Sequence, residues 1–326
     1  MRKVLITGGA GFVGRCFVKR FLEMGDEVHC VDNLAPLSGG IAPENGWYKT
    51  NPFDFERFKY FQEDCRAYFH RVKDDDFDYC LHLAAVVGGR LVIENNPLAV
   101  ADDLSIDAAY WQWAQLTQPR KTVCFSSSAA YPIKYQERDN YVLLKEDMID
   151  YESDLGMPDM SYGWAKLTVE YLARLAFEKN GLSSVCYRPF SGYGEDQDDT
   201  YPFPSICKRA LDQKDQPVLT VWGTGDQMRD FIHIEDCVDG VFTTMDKIDN
   251  ADALNLSTGI YTSFREFAKL AAKACGYSPE VRGLSDKPTG VFARGGDVSK
   301  QNLLGFKHKI DFETGVKMAL EHFSAL

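Results

Sequence analysis

The sequence has no run of about 18 or more apolar residues, which excludes an apolar helix long enough to span a bilayer. It has no CxxC pair. Its nine cysteines (Cys16, Cys30, Cys65, Cys80, Cys124, Cys186, Cys207, Cys237 and Cys275) are scattered and odd in number. That pattern excludes a disulfide framework and a thiolate zinc site, and most of the thiols read as small buried hydrophobes. Six dispersed histidines form no HExxH or comparable ligand set, so no metal is expected. There is no internal repeat and no low-complexity segment. Positive charge is in deficit: 48 acids against 36 bases give a net charge of −12. An acidic chain is a poor partner for nucleic acid or an anionic membrane, although one local basic pocket still holds a diphosphate.

What is present is ordinary globular material. The 326 residues are 45% hydrophobic and 26% charged, ample for a core, and the length suggests about two domains. The opening MRKVLITGGAGFVG starts like a signal peptide, with two basic residues and a short apolar stretch. The glycines that follow at once favour a buried strand and turn instead, so the chain is expected to begin at Met1 and to stay in the cytoplasm.

The first half alternates strand and helix. Lys3–Thr7 is a short apolar run ending at glycines and predicts a buried parallel strand. Residues 12–24 have helical spacing, with Phe12, Val13, Phe17, Val18, Phe21 and Leu22 on one side. Further strands are predicted over 27–31, 79–84, 122–126 and 185–187, and long helices over 106–116 and 160–179. This alternation implies an α/β fold, a doubly wound parallel (Rossmann) sheet with right-handed crossovers. From about Phe190 glycine, proline and acid become frequent, and 191–204 is expected to be a loop over a site. Beyond it we expect helices over 204–212 and 263–275, strands over 218–221 and 231–234, and closing elements over 294–302 and 312–323. The expected division is a dinucleotide-binding domain over 1–189 and a smaller mixed α/β substrate lobe over 190–326. Part of the chain near 231–260 is expected to return to the first domain.

The strongest local signal is Thr7-Gly8-Gly9-Ala10-Gly11-Phe12-Val13-Gly14, between a strand and a helix. Gly8 permits the tight turn, Gly11 lets the backbone approach a pyrophosphate, and Gly14 lets helix and strand pack closely. The helix start, with Phe12 and Val13, offers free N–H groups and a positive dipole end to the diphosphate. A glycine turn without a ligand is the bland alternative. Against it stands Asp32, which ends the second strand about 20 residues on, with Asn33 beside it. A carboxylate there accepts hydrogen bonds from a ribose 2′-hydroxyl and repels a 2′-phosphate, which favours NAD over NADP. Asp64, after the third expected strand, reads either as a ligand of the adenine amino group or as an exposed acid.

The second signal is Tyr162-Gly163-Trp164-Ala165-Lys166. Residues four apart on a helix share a face, so the Lys166 ammonium can lie near the Tyr162 phenol and lower its pKa. Tyr162 can then exchange a proton with a sugar hydroxyl near neutral pH, and Lys166 can bind the nicotinamide ribose. Upstream, Ser126-Ser127-Ser128 ends a strand at the edge where ligands of such sheets bind. A capping or turn role is the common alternative for such serines.

Taken together, Gly8–Gly14, Asp32, His82-Leu83-Ala84-Ala85, Ser126–Ser128, Tyr162–Lys166 and Arg229-Asp230-Phe231 resemble the extended short-chain dehydrogenases acting on nucleotide sugars. The resemblance covers essentially the whole chain. It implies a bound NAD beside Leu83, Ala84 and Ala85, a serine–tyrosine–lysine triad and a homodimer built by helices flanking the active site. Counting back four residues from Tyr131, as the family pattern does, puts the catalytic hydroxyl on Ser127 with Ser128 beside it. The segment from Leu83 to Gly88 and Gly89 is similar to that of GDP-fucose synthases and GDP-mannose 3,5-epimerases. The segment Val221-Trp222-Gly-Thr-Gly-Asp-Gln227-Met-Arg229 is similar to that of the latter. This likeness implies a GDP-linked sugar, with Arg229 on the nucleotide phosphates and Trp222, Tyr201 and Lys208 in the substrate region. Arg294 reads either as a second phosphate ligand or as an ion pair.

The departures narrow the chemistry. The 3,5-epimerases and fucose synthases place a cysteine acid/base two residues after the catalytic serine, and here that position is Ala129. Their lysine acid, aligned through Ile206–Ala210, falls at Tyr201. The 4,6-dehydratases use an Asp-Glu pair where Ser128-Ala129 stands. What remains needs only the triad and NAD: oxidation at carbon 4, as a 4-epimerase or a 4-dehydrogenase. A 4-ketoreductase or a 3,5-epimerase is the alternative, and a non-catalytic NAD-sensing protein a remote one. Arg90 follows Gly89 where relatives carry an apolar residue, and Ser191 replaces a common asparagine. Arg90 reads either as a grip on an unusual sugar or as a salt bridge to Glu94.

Overall fold

Short apolar segments that end at glycine or serine become strands, and amphipathic segments between them become helices. The computed structural model describes residues 1–326 apart from 37, 74–75, 87–89, 215, 288 and 326, and apart from the side chains of 90–92. The strands are β1 (Lys3–Thr7), β2 (Glu27–Asp32), β3 (Phe58–Gln62), β4 (Tyr79–His82), β5 (Lys121–Phe125), a hairpin of β6 (Gln136–Glu137) and β7 (Asn140–Tyr141), and β8 (Ser184–Pro189). There follow β9 (Val218–Trp222), β10 (Met228–Arg229), β11 (Asn250–Leu256), β12 (Thr262–Ser263), β13 (Glu280–Leu284) and β14 (Ala293–Arg294). The helices are α1 (Phe12–Glu23), α2 (Cys65–Arg71), α3 (Arg90–Asn95), α4 (Val100–Thr117) and α5 (Met160–Asn180). The second half adds α6 (Pro202–Asp212), α7 (Ile234–Thr244), α8 (Phe264–Ala274), α9 (Ser299–Leu303) and α10 (Phe312–Ser324). No helix among the described residues is long and apolar enough to cross a membrane.

Seven strands form one parallel sheet in the order β11-β8-β5-β4-β1-β2-β3. The order reverses between β1 and β4, and the crevice beyond their C-terminal ends is where such sheets bind ligands. One face is covered by α1 and α7, through Phe17, Val18, Phe21, Ile234, Val238 and Val241. The other is covered by α2, α4 and α5, through Tyr68, Phe69, Tyr110, Trp113 and Ala173. A separate core joins α6, α8 and α10 to β9 and β13, around Phe203, Phe231, Phe267 and Val316. All nine cysteines are free and seven are buried. Burial pushes the Cys16 and Cys65 thiols up to about 12, so neither is a ready nucleophile.

One expected strand is absent. Residues 231–233 run extended without a ladder, making a single bridge from His233 to Tyr193, and Ile234 already opens α7. The His233 ring accepts the Glu235 amide and caps the helix, and Glu235 and Asp236 favour its positive end. The apolar pair Phe231 and Ile232 thus serves two separate cores rather than two faces of a strand.

A buried ion pair ties the site's supports together. Arg188, in β8 and 2% exposed, donates to both oxygens of Glu170 on α5 at 2.9 and 2.6 Å. It also donates to the Tyr131 hydroxyl at 2.9 Å and to the Glu146 carbonyl at 3.0 Å. Removing one partner leaves the other charge buried and uncompensated. Arg188→Ala is therefore expected to lower the unfolding free energy by about 3–5 kcal/mol in a denaturant titration. Arg188→Met combined with Glu170→Leu should recover much of that loss. A single variant that unfolds like the wild type would show that the pair contributes nothing.

Candidate active site

At the end of β1 the chain turns on Gly8, whose φ of +69° lies in the left-handed region. A Cβ on Gly8 would stand 2.7 Å from the Ala84 backbone nitrogen, so the segments leaving β1 and β4 approach closely only because it is absent. A Cβ on Gly14 would stand 2.2 Å from the Gly8 carbonyl oxygen, so the first turn of α1 rests directly on the glycine turn. Gly11 caps α1 with no side-chain hydrogen bond, and no acid sits in the first turn. The amides at Phe12 and Val13 thus belong to a helix start with uncompensated positive dipole. Asp32 closes β2, its Oδ2 accepting the Ala10 amide at 3.0 Å and its Oδ1 the Leu34 amide at 2.9 Å. Burial raises this carboxyl above its ordinary value, and those amide bonds oppose the rise.

Gly8, Gly11, Asp32, Asn33, Asp64, Leu83, Ala84 and Ala85 line one cleft across the reversal in strand order. A dinucleotide fits these residues. The cleft has a glycine floor that a Cβ would fill, an uncapped helix start for a diphosphate, and a carboxylate that still has lone pairs for ribose hydroxyls. Asn33 turns its Oδ1 to the Ala35 amide at 3.0 Å. Asp64 caps α2 by accepting the Arg66 amide, and both its oxygens meet the Arg66 guanidinium at 2.9 and 2.7 Å. That pairing pulls its carboxyl below the usual range. Cys65, Arg66, Val86, Asp102 and Ile106 also line the cleft. No motif marks them in the sequence, because they arrive from the starts of α2 and α4 and from the loop after β4.

The proton-handling groups meet at the ends of β5 and α5. Gly163 makes the meeting possible: a Cβ there would stand 2.4 Å from the Ala129 carbonyl oxygen, so α5 starts against the serine turn. Ser127 caps the short turn Ser128–Ala130, its Oγ accepting the Ala129 amide at 3.1 Å, and its hydroxyl favours ionisation of the nearby Tyr162 phenol. The capping role and the site role therefore coexist in one hydroxyl. Ser128 is buried beside it, and Ser126 donates to the Lys166 carbonyl at 3.3 Å. The Lys166 ammonium lies 5.5 Å from the centre of the Tyr162 ring. Burial pushes the Tyr162 phenol up, while Lys166 and Ser127 pull it down and Asp103 and Asp107 push it further up. The ammonium thus acts with the expected sign, but burial outweighs it, and the phenol stays above its ordinary value rather than below. Lys166 loses by burial and gains more from Tyr162, Asp103 and Asp107, so it remains charged. Neither aspartate is marked by any motif.

Other residues singled out in the sequence take varied places. Gly88 and Gly89 lie outside the described residues, as does the side chain of Arg90. Ser191 adopts a φ of +34°, a conformation that asparagine and glycine tolerate better than serine. Tyr201 precedes α6, where burial first and then the neighbouring Tyr162 phenol raise its own phenol. Lys208 pairs with Asp199 at 2.7 Å and lies 5.0 Å from the Phe323 ring centre. Trp222 ends β9 and is 39% exposed. Arg229 and Arg294 are register partners on β10 and β14. Arg229 donates to the Met228 and Val291 carbonyls and lies 5.5 Å from the Phe264 ring centre. Arg294 donates to Gln136 at 2.6 Å and to Asp159, just before α5, at 2.7 Å.

Known proteins share this fold. The family model described as NAD-dependent epimerase/dehydratase matches residues 4–257. GDP-L-colitose synthase of Yersinia pseudotuberculosis is 24% identical over 76% of this chain and 81% of its own length. GDP-L-fucose synthase of Escherichia coli is 25% identical over 80% of this chain and 84% of its own length. The structure of UDP-glucose 4-epimerase with UDP-glucose from Thermotoga maritima superposes with a TM-score of 0.83 at 23% identity, covering 99% of both chains. The chain belongs to the NAD-dependent epimerase/dehydratase family of enzymes, and its cofactor is NAD.

Proposed function

We propose that the enzyme oxidises carbon 4 of a GDP-linked sugar. It is then a 4-epimerase where the 4-keto sugar is held and reduced again, and a 4-dehydrogenase where that ketone leaves. The observation that carries this reading is the cluster of Ser127, Tyr162 and Lys166 at the strand ends, beside the cleft of Asp32. The GDP-sugar names of two relatives support the nucleotide. The glycine turn, Asp32 and Lys166 would hold NAD, which would accept the hydride from carbon 4 and return it on reduction. Tyr162 takes the proton of the 4-hydroxyl as carbon 4 becomes a carbonyl, and returns it when the carbonyl is reduced. Ser127 hydrogen-bonds the same oxygen, and Lys166 keeps positive charge beside the phenol. Ala129, buried against the start of α5, carries no group that moves a second proton. That sets carbon 3 and carbon 5 epimerisation and loss of the 6-hydroxyl apart from this site. The apolar side chains of Leu116 on α4 and Tyr171 and Phe177 on α5 remain exposed, which supports pairing of two copies through these helices.

The test is incubation of the purified enzyme with NAD and a panel of GDP- and UDP-hexoses. A new C4 epimer, or a reduced-nicotinamide signal with a 4-keto product, is the expected result with GDP-sugars. A 4-keto-6-deoxy product, or inertness toward every pyrophosphate-linked sugar, would overturn the proposal.

A further inference from the structure

Two carboxylates outside the Ser127–Tyr162–Lys166 set lie buried behind it. Asp103 and Asp107 stand one turn apart on α4, the helix packed along α5, and are 1% and 3% exposed. Charge buried to that degree is unfavourable unless other groups compensate it. One oxygen of each is satisfied. Asp103 Oδ1 accepts the Val86 amide, and Asp107 Oδ1 lies 3.1 Å from His82 Nε2. His82 Nδ1 is in turn 2.9 Å from Thr7 Oγ1, which accepts the Ala84 amide at 3.3 Å. This chain of contacts runs beneath the glycine turn. The second oxygens, Asp103 Oδ2 and Asp107 Oδ2, are buried with no hydrogen-bond partner among the described residues. Lys166, 6% exposed, makes no ion pair with either aspartate but interacts with both electrostatically across the interior between α4 and α5.

We propose that Asp103, backed by Asp107, is a positioning residue whose carboxylate balances the Lys166 ammonium and thereby sets the pH at which Tyr162 releases its proton. This inference rests on Tyr162 being the acid–base group, and it adds what tunes that group. The surroundings of Tyr162 come from four elements: Lys166 on its own helix, the Ser127 hydroxyl after β5, Asp103 and Asp107 from α4, and Tyr201 before α6. Asp103 itself faces Lys166, the Val86 amide and its neighbours Asp107 and Asp102, while Cys124 of β5 faces Lys166. A negative charge near a phenol opposes its ionisation. Asp103 therefore raises the affinity of Tyr162 for its proton, against the pull of Lys166. Burial pushes the Asp103 carboxyl up to about 6, so this charge is present at neutral pH and fades below it. The balance suits a group that must both take and return a proton. Without the aspartates less opposes the pull of Lys166, and the tyrosine would give its proton back less readily to the oxygen of a ketone being reduced.

The test is a tyrosinate difference titration, wild type minus Tyr162→Phe, repeated in the Asp103→Asn background. Asparagine keeps the shape and the acceptor for the Val86 amide. The Tyr162 midpoint is expected to move to lower pH by about 1 unit, the size of one charge interaction at short range in a protein. Asp103→Glu should bring it back, and Asp107→Asn should move it the same way by less. The pH profile of turnover should follow. An unchanged midpoint, or one moved to higher pH, in both Asp103→Asn and Asp107→Asn overturns the proposal. A purely structural aspartate would lower stability without moving the midpoint. The titration needs no substrate, so its failure is distinct from a failure of the sugar assay.

Discussion

Tyr162→Phe should lower kcat about 10³-fold with a GDP-sugar while changing NAD affinity by no more than a few-fold, the range expected for loss of one general acid–base group. The substitution removes one oxygen and keeps the ring that lies 5.5 Å from the Lys166 ammonium. It removes no fully buried hydrogen-bond network, because Ser127 retains the Ala129 amide as its partner. The dinucleotide cleft of Gly8, Asp32 and Ala84 is built by other elements, so its affinity is independent of the phenol. Steady-state kinetics give the first number, and isothermal titration with NAD gives the second. Because burial holds the phenol above its ordinary value, wild-type turnover should also rise with pH across the neutral range. Retention of more than about a tenth of wild-type kcat in the phenylalanine variant would remove Tyr162 from the role of base.

The parts of this site that sequence reveals are those held by local backbone geometry. Gly8, Gly14 and Asp32 are legible because a strand, a tight turn and a helix must follow one another within some 30 residues to make a dinucleotide turn. Tyr162 and Lys166 are legible because a helix fixes the distance between positions four apart. Asp103 and Asp107 have the same spacing, but no motif marks them. Nothing in their own segment shows that α5 will cover them and bring Lys166 to their side. Arg188 and Glu170 are hidden for the same reason, being 18 residues apart and joined only when β8 enters the sheet beside β5. The predicted strand at 231–234 failed because its apolar residues serve two cores, Phe231 one and Ile232 and Ile234 the other. A histidine cap, rather than a turn residue, then starts the helix. The lowered pKa expected for Tyr162 failed in its net direction, since spacing reports the nearby ammonium and is silent about burial.

The second large effect separates two glycines that look alike in sequence. Gly14→Ala puts a Cβ 2.2 Å from the Gly8 carbonyl oxygen, 2.6 Å from Gly9 Cα and 2.9 Å from the Gly9 carbonyl carbon. All three are backbone atoms of the turn itself, so no side chain can swing aside and α1 must lift from β1. We expect about 1–3 kcal/mol of destabilisation from this overpacking, visible in thermal unfolding without cofactor. The NAD-induced rise in Tm should be lost as well, because the displaced turn no longer presents its amides to the diphosphate. Gly11→Ala differs. Among the described residues its only close neighbour would be the Gly8 oxygen at 3.2 Å, and Gly11 has an ordinary φ of −70°. The unliganded protein should therefore unfold almost as the wild type does. Its stabilisation by NAD should still fall, since the added methyl stands where the diphosphate must approach. Equal behaviour of the two variants in both measurements would mean that the turn is a packing device alone, with no diphosphate to accommodate.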